Sequence, residues 1–93
     1  MRHYELVLIF HPDLDDEAVG QALEKVKGWV TTANGSVASI DSWGKRRLAY
    51  MIQKQYEGIY FLLNLDIEPV ATAELDRNLR ILEPVMRYQI IAK

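Results

Sequence analysis

Residues 4–26, YELVLIFHPDLDDEAVGQALEKV, change their hydrophobic period partway along. Tyr4, Leu6, Leu8 and Phe10 alternate with His3, Glu5, Val7 and Ile9. That period of two is a strand's, because successive side chains point to opposite faces. Pro12 ends the run. Beyond it Val19, Leu23, Val26 and Val30 recur at helical spacing, with Ala22 and Trp29 beside them. Asp13 or Asp15 caps the free N–H groups of this helix, and the other early acids suit the positive end of its dipole. Gly20 and Gly28 weaken it by about 1 kcal/mol each relative to Ala. Asn34-Gly35 stops it, Gly tolerating the left-handed conformation there.

The same strand-then-helix order returns in the second half. Ile59, Phe61, Leu63, Leu65 and Ile67 form one face of a strand, and Tyr60, Leu62, Asn64 and Asp66 the other. Pro69 opens a second helix with the stripe Ala71, Leu75, Leu79 and Leu82. Pro84 stops it, and Val85 to Ala92 gives a last strand. Between the halves, Ser36 to Ile52 holds a long strand in which Leu48, Tyr50 and Ile52 alternate with Arg47, Ala49 and Met51. Its alternation is broken at Ser42-Trp43-Gly44, where a bulge or a turn would reset the register. Gln53 to Gly58 is polar and reads as a loop. The order is β-α-β-β-α-β. It predicts an α+β, ferredoxin-like domain over residues 1–93: a four-stranded antiparallel sheet with two helices on one face.

That arrangement leaves the other sheet face free. The expected open-face residues are Val7 and Ile9, Tyr60 and Leu62, Arg47, Ala49 and Met51, and Arg87, Gln89 and Ile91. Several are large and apolar, and a monomer rarely leaves a contiguous apolar patch of several hundred Å² in water. A protein partner, stacked RNA bases and a mildly apolar surface are the three readings. RNA-recognition domains of this architecture stack bases on central aromatics. Only Tyr60 offers one here, and the Lys/Arg-Gly-aromatic signature is missing from Gly58-Ile59-Tyr60-Phe61-Leu62. The aliphatic content fits a protein partner better.

Composition narrows the function. The 93 residues carry a net charge of −2, so any RNA contact must come from a local basic patch. From Asp13 to Gly35 there are five acids and two bases; from Ser36 to Glu57 there are four bases and two acids. The only dense basic run is Lys45-Arg46-Arg47. It reads either as charge that guards a strand edge against edge-to-edge pairing, or as a contact for phosphate oxygens or an acidic partner. The absence of Cys removes disulfides, thiolate metal sites and thiol catalysis, and fits a reducing compartment. The apolar run Leu6 to Phe10 is too short for a signal peptide or a membrane span, so a cytoplasmic chain without membrane contact is expected.

Enzyme chemistry finds no foothold. His3 and His11 lack metal-ligand spacing to a second ligand. The acids Asp13 to Glu17 lack the calcium-loop pattern and its Gly. The glycines form no phosphate loop, and Ser36, Ser39 and Ser42 have no base near them in sequence. Acyl-phosphate hydrolases of this fold need an Arg held in a Gly-rich turn after the first strand, whereas His11-Pro12-Asp13-Leu14-Asp15 is acidic and Gly-free. No catalytic residue, metal, cofactor or small-molecule substrate is expected. The alternative is a ligand-sensing or protein-interaction module, since fold alone does not fix function.

Trp43-Gly44-Lys45-Arg46-Arg47-Leu48-Ala49-Tyr50-x-Ile52-x-Lys54 closely resembles the signature of the bacterial small-subunit ribosomal protein six family. Met1-Arg2-His3-Tyr4-Glu5 resembles that family's start, and Val85-Met86-Arg87 its last strand, so the resemblance runs from Met1 to about Ala92. It implies a structural constituent of the small ribosomal subunit. Such a protein pairs with small-subunit protein eighteen and binds the central domain of the small-subunit RNA. The residues then expected at RNA are Arg2, Lys45, Arg46, Arg47, Lys54 and Arg87. Those expected at the protein partner are Val7, Ile9, Trp43, Tyr60, Leu62 and Ile91. The chain departs from the family in having Met51 where Pro is usual, and the resemblance carries over nothing of the acidic C-terminal tail that some members have.

Overall fold

The computed structural model describes residues 1–93. Strand β1 (Arg2–Phe10) leads to helix α1 (Asp16–Thr32), β2 (Ser36–Ile52), β3 (Gln55–Ile67), a 3-10 turn (Pro69–Ala71), helix α2 (Thr72–Arg80) and β4 (Val85–Ala92). The sheet is antiparallel in the order β2-β3-β1-β4, with both helices packed on one face. This is the ferredoxin-like arrangement that the element order predicts.

Alternation in the strands and 3.6-residue spacing in the helices meet in one core. Tyr4, Leu6, Leu8 and Phe10 of β1 and Leu63, Leu65 and Ile67 of β3 face Val19, Ala22, Val26 and Val30 of α1 and Leu75 and Leu79 of α2. Phe10 and Phe61 meet edge to face at 5.7 Å. Each fully buried aliphatic or aromatic side chain contributes about 1.5–3 kcal/mol by leaving water. Of the two capping candidates, Asp15 caps α1, its carboxylate accepting from the Ala18 N–H at 2.8 Å.

Three local expectations are corrected. At the end of α1 the left-handed residue is Asn34 (φ 63°), not Gly35. Gly35 is needed for room, because a Cβ there would sit 2.6 Å from the Asp66 carbonyl oxygen. The segment from Gln53 to Gly58 is not a loop. Gln53 (φ 49°) and Lys54 (φ 65°) alone make the turn, and β3 begins at Gln55. Two positive φ values in a two-residue turn match the twist of a hairpin.

The third correction concerns the face of β2. Ser42 pairs with Phe61 and Gly44 with Tyr60, leaving Trp43 as the extra residue of a bulge, with Gly44 at φ 75°. The shifted register turns Gly44, Arg46 and Leu48 to the open face. Lys45 and Arg47 share the side of Ile59, which packs against the main core. Arg47, Ala49 and Met51 are therefore not the open-face set; Leu48 and Ile52 take that role, packing with Ile9, Met86 and Tyr60 in a second, smaller cluster.

Candidate RNA and protein interface

Sheet register arranges the open face in rows. One row reads Arg87–Ile9–Tyr60–Gly44, the next Gln89–Val7–Leu62–Asp41, and the next Ile91–Glu5–Asn64–Ser39. His3 and Asp66 close the far end. The face thus grades from aromatic and cationic beside the β2–β3 hairpin to polar and acidic at the other end.

The polar end is satisfied within the chain. His3 Nδ1 lies 3.3 Å from Asp66 Oδ1 and its Nε2 3.2 Å from Asn64 Oδ1. Asn64 Nδ2 donates to Ser39 Oγ at 2.8 Å, and Lys93 Nζ lies 3.3 Å from Glu5 Oε1.

At the hairpin end the bulge throws Trp43 onto Tyr60, ring centroids 6.5 Å apart and planes 13° from parallel. Arg46 covers the Trp43 ring at 5.9 Å and donates its Nε–H to the Trp43 carbonyl oxygen at 3.1 Å. Tyr60 and Arg46 thus both lie against the Trp43 ring, which is still 44% exposed. Tyr60 is thus not the lone aromatic that the strand pattern suggests. Its stacking neighbour comes from a bulge, and alternation cannot reveal which way a bulged residue points.

Of the residues expected at RNA, the fold brings Lys45, Arg46, Arg47, Lys54 and Arg87 to the hairpin end of the sheet. All five are exposed. None takes part in any of the five ion pairs of the chain, which join Met1 to Glu68, His3 to Asp66, Lys27 to Glu24, Arg80 to Asp76 and Lys93 to Glu5. Arg2 stands apart, opposite Ile67 at the other end of β1, about 25 Å along the strand. Of the residues expected at a protein partner, Val7 lies beside Leu62 and Ile9 beside Tyr60. Ile91 sits two residues beyond Gln89 on β4, opposite Glu5. Ile9 is only 8% exposed, already covered by Leu48 and Met86. The apolar surface left open is therefore narrower than the alternating pattern implies. Tyr50, 59% exposed, is a residue that the strand pattern assigned to the wrong face.

No three His, Asp or Glu side chains converge as a metal site would require. A pocket of about 110 Å³ between α1 and α2, lined by Trp29, Ala33, Ile67 and Leu75 among others, is far below the roughly 300 Å³ at which small-molecule sites begin.

A family model described as Ribosomal protein S6 matches residues 3–92. The chain belongs to the ribosomal protein S6 family. It is 46% identical to small ribosomal subunit protein bS6 of Saccharopolyspora erythraea, over 100% of this chain and 79% of that one. It is also 46% identical to bS6 of Nocardia farcinica, over 98% of this chain and 96% of that one. The crystal structure of 30S ribosomal protein S6 from Thermotoga maritima superposes with a TM-score of 0.92 at 26% identity, covering 99% of this chain and 87% of that chain. The chain is thus a ribosomal protein of the small subunit and not an enzyme, and its place is the cytoplasmic ribosome. Met51 lies between Arg47 and Ile52, where the β2–β3 register lapses.

Proposed function

We propose that this S6-family chain binds the central domain of the small-subunit ribosomal RNA through its hairpin-end cations, and pairs with small-subunit protein eighteen through the open sheet face. The observation that carries the reading is the group of five exposed cations, none of them in an ion pair, gathered in a chain of net charge −2, with Glu57 across the ladder from Arg47 the one carboxylate paired in register with any of them. Surface cations beside carboxylates have part of their field cancelled, whereas an unpaired group keeps its field for phosphate. Val7 and Leu62, neighbours on adjacent strands, supply the aliphatic contact for the protein partner. Tyr60 and Arg46 both lie against the Trp43 ring, so part of the aromatic surface an inserted base would need is already covered, which favours a presented guanidinium.

The split of the basic run across the sheet makes the reading testable residue by residue. Arg46→Ala and Arg47→Ala together should lower the slope of log affinity against log salt by about 1.4–1.8, as expected for two phosphates left unneutralised. The thermal melt should barely move, because both side chains are exposed. An unchanged slope in salt-titrated RNA binding would remove both residues from the RNA contact.

A further inference from the structure

Strands β2 and β4 lie on opposite edges of the sheet, with β3 and β1 between them. Edges separated by two intervening strands stand roughly 14 Å from each other. Yet the end of β2 reaches β4 in three ways. Leu48 packs with Met86. Gln53 Nε2 donates to the Met86 carbonyl oxygen at 3.4 Å. Arg87 Nη1 donates to the Tyr50 hydroxyl, with the guanidinium carbon 5.7 Å from the ring centroid. The hairpin arm therefore crosses the open face.

Leu48 is buried by that crossing, but Tyr50 remains 59% exposed. Burial does not account for its contact with Arg87. Arg87 has no carboxylate partner. A long side chain that would otherwise sample many rotamers is thus tethered by an uncharged ring. A carboxylate tether would cancel the charge; a phenol orients it and leaves it intact. The guanidinium has five N–H donors in a planar fork, so one bond to Tyr50 leaves a two-donor edge for an oxyanion.

We infer that Tyr50 is a positioning residue for Arg87, holding its guanidinium on the open face for a phosphate oxygen of bound RNA. The inference rests on the RNA reading of the hairpin-end cations given above. Tyr50 acts by settling the conformation of Arg87 before RNA arrives, which removes an ordering cost from binding.

Positioning and contact have different signatures. Arg87→Ala deletes a phosphate contact and lowers the salt slope by about 0.7–0.9. Tyr50→Ala keeps the charge and the contact. It leaves the slope unchanged while weakening binding by about 2- to 10-fold at every salt concentration. The experiment is a salt-titrated measurement of affinity for small-subunit ribosomal RNA in the presence of protein eighteen. It uses the full chain and its Tyr50→Ala, Tyr50→Phe, Arg87→Ala and doubly substituted forms, each checked by a thermal melt. Tyr50→Phe, which keeps the ring, recovers part of the loss, and Tyr50→Ala has no further effect once Arg87 is Ala. Three results would overturn the inference: wild-type affinity for Tyr50→Ala, a lowered slope for Tyr50→Ala, or an undiminished Tyr50→Ala loss in the Arg87→Ala background. If Arg87→Ala weakens RNA binding and Tyr50→Ala does not, positioning fails while the RNA reading stands. If Arg87→Ala is itself silent, Arg87 leaves the RNA contact and the positioning role goes with it.

Discussion

Gly58 governs how the hairpin arm meets the sheet. It is buried opposite Arg46, and a Cβ there would press into Ile9 Cγ2, with Met86 Cε at 3.1 Å and the Phe10 carbonyl oxygen at 3.3 Å. Ile9 is branched and itself packed under Leu48, so it has little freedom to give way. Gly58→Ala should cost about 1–3 kcal/mol through overpacking. It should also loosen the arm, read as increased solvent exposure of Trp43 fluorescence in the folded state. A denaturant melt equal to wild type would show that the close approach is not limiting. Little of this was legible at residue scale. Gly58 sits in a polar run that resembles a loop. The turn residues Gln53 and Lys54 both take positive φ without the Asn-Gly pair that usually announces such a turn. Their conformation follows from the pairing of two long strands, a tertiary cause that local chemistry does not display.

Among the elements, the strands and helices whose period is unbroken were legible in the sequence; for β2 the bounds Ser36–Ile52 and the break at Ser42-Trp43-Gly44 were legible, but not which way its side chains face beyond the break. β4 spans Val85–Ala92, as its flanking Pro84 and alternation suggest. In β2 the bulge at Trp43 adds one residue, and one residue inverts every side chain beyond it. That single shift moves Arg46 and Leu48 from the expected helix side to the open face, and Arg47 from the open face to the helix side. At the other edge, β4 is tied to α2. The Tyr88 hydroxyl lies 2.7 Å from Asp76 Oδ1 and 3.1 Å from the Asp76 carbonyl oxygen, while Arg80 Nη2 donates to Asp76 Oδ2 at 2.7 Å. Burial pushes the Tyr88 phenol above its ordinary value of 10.0, and the hydrogen bond to Asp76 adds to the rise. A raised value means that the folded state favours the neutral phenol. Its contribution is complete below about pH 10 and is lost as the pH climbs through the raised folded value. Tyr88→Phe should therefore lower stability by about 0.5–1.5 kcal/mol at neutral pH. The gap from wild type should narrow above about pH 10. Denaturant melts of both proteins at neutral and at alkaline pH check this, and a gap that widens with pH would contradict the assignment.

Across the whole molecule, charge and apolar surface are segregated along the sheet. The ion-paired and hydrogen-bonded end holds His3, Glu5, Asp66 and Lys93, while Lys45, Arg46, Arg47, Lys54 and Arg87 collect at the hairpin end; the other cations outside any ion pair are Arg2 at the far end and Lys25 and Arg77 on the helices. Between them Leu62 stands beside Val7 on β1 and Asp41 on β2, half-buried in the free chain. Leu62→Glu should abolish pairing with protein eighteen, because docking would desolvate an unpaired charge. The isolated domain should still fold, since Leu62 lies outside both buried clusters. A pull-down beside a thermal melt decides it; a folded Leu62→Glu chain that still pairs would move the interface elsewhere, to the edge of β2. The family signature made the molecule's place in the ribosome legible early, but not its electrostatic layout. Arg2 and Arg87 look alike in sequence, and only the strand order shows that they occupy opposite ends of the sheet.

The central claim is that a chain of net charge −2 acquires RNA affinity from a local cation group completed by a partner. Its most direct test is the affinity for the central domain of small-subunit RNA, measured across a salt series for this chain alone, for protein eighteen alone, and for the two mixed. The account predicts weak, shallow-sloped binding by this chain alone, and tight binding by the mixture. The mixture's salt slope should steepen by about 0.7–0.9 for each further phosphate that the pair neutralises. Binding by this chain alone as tight as that of the mixture would contradict it.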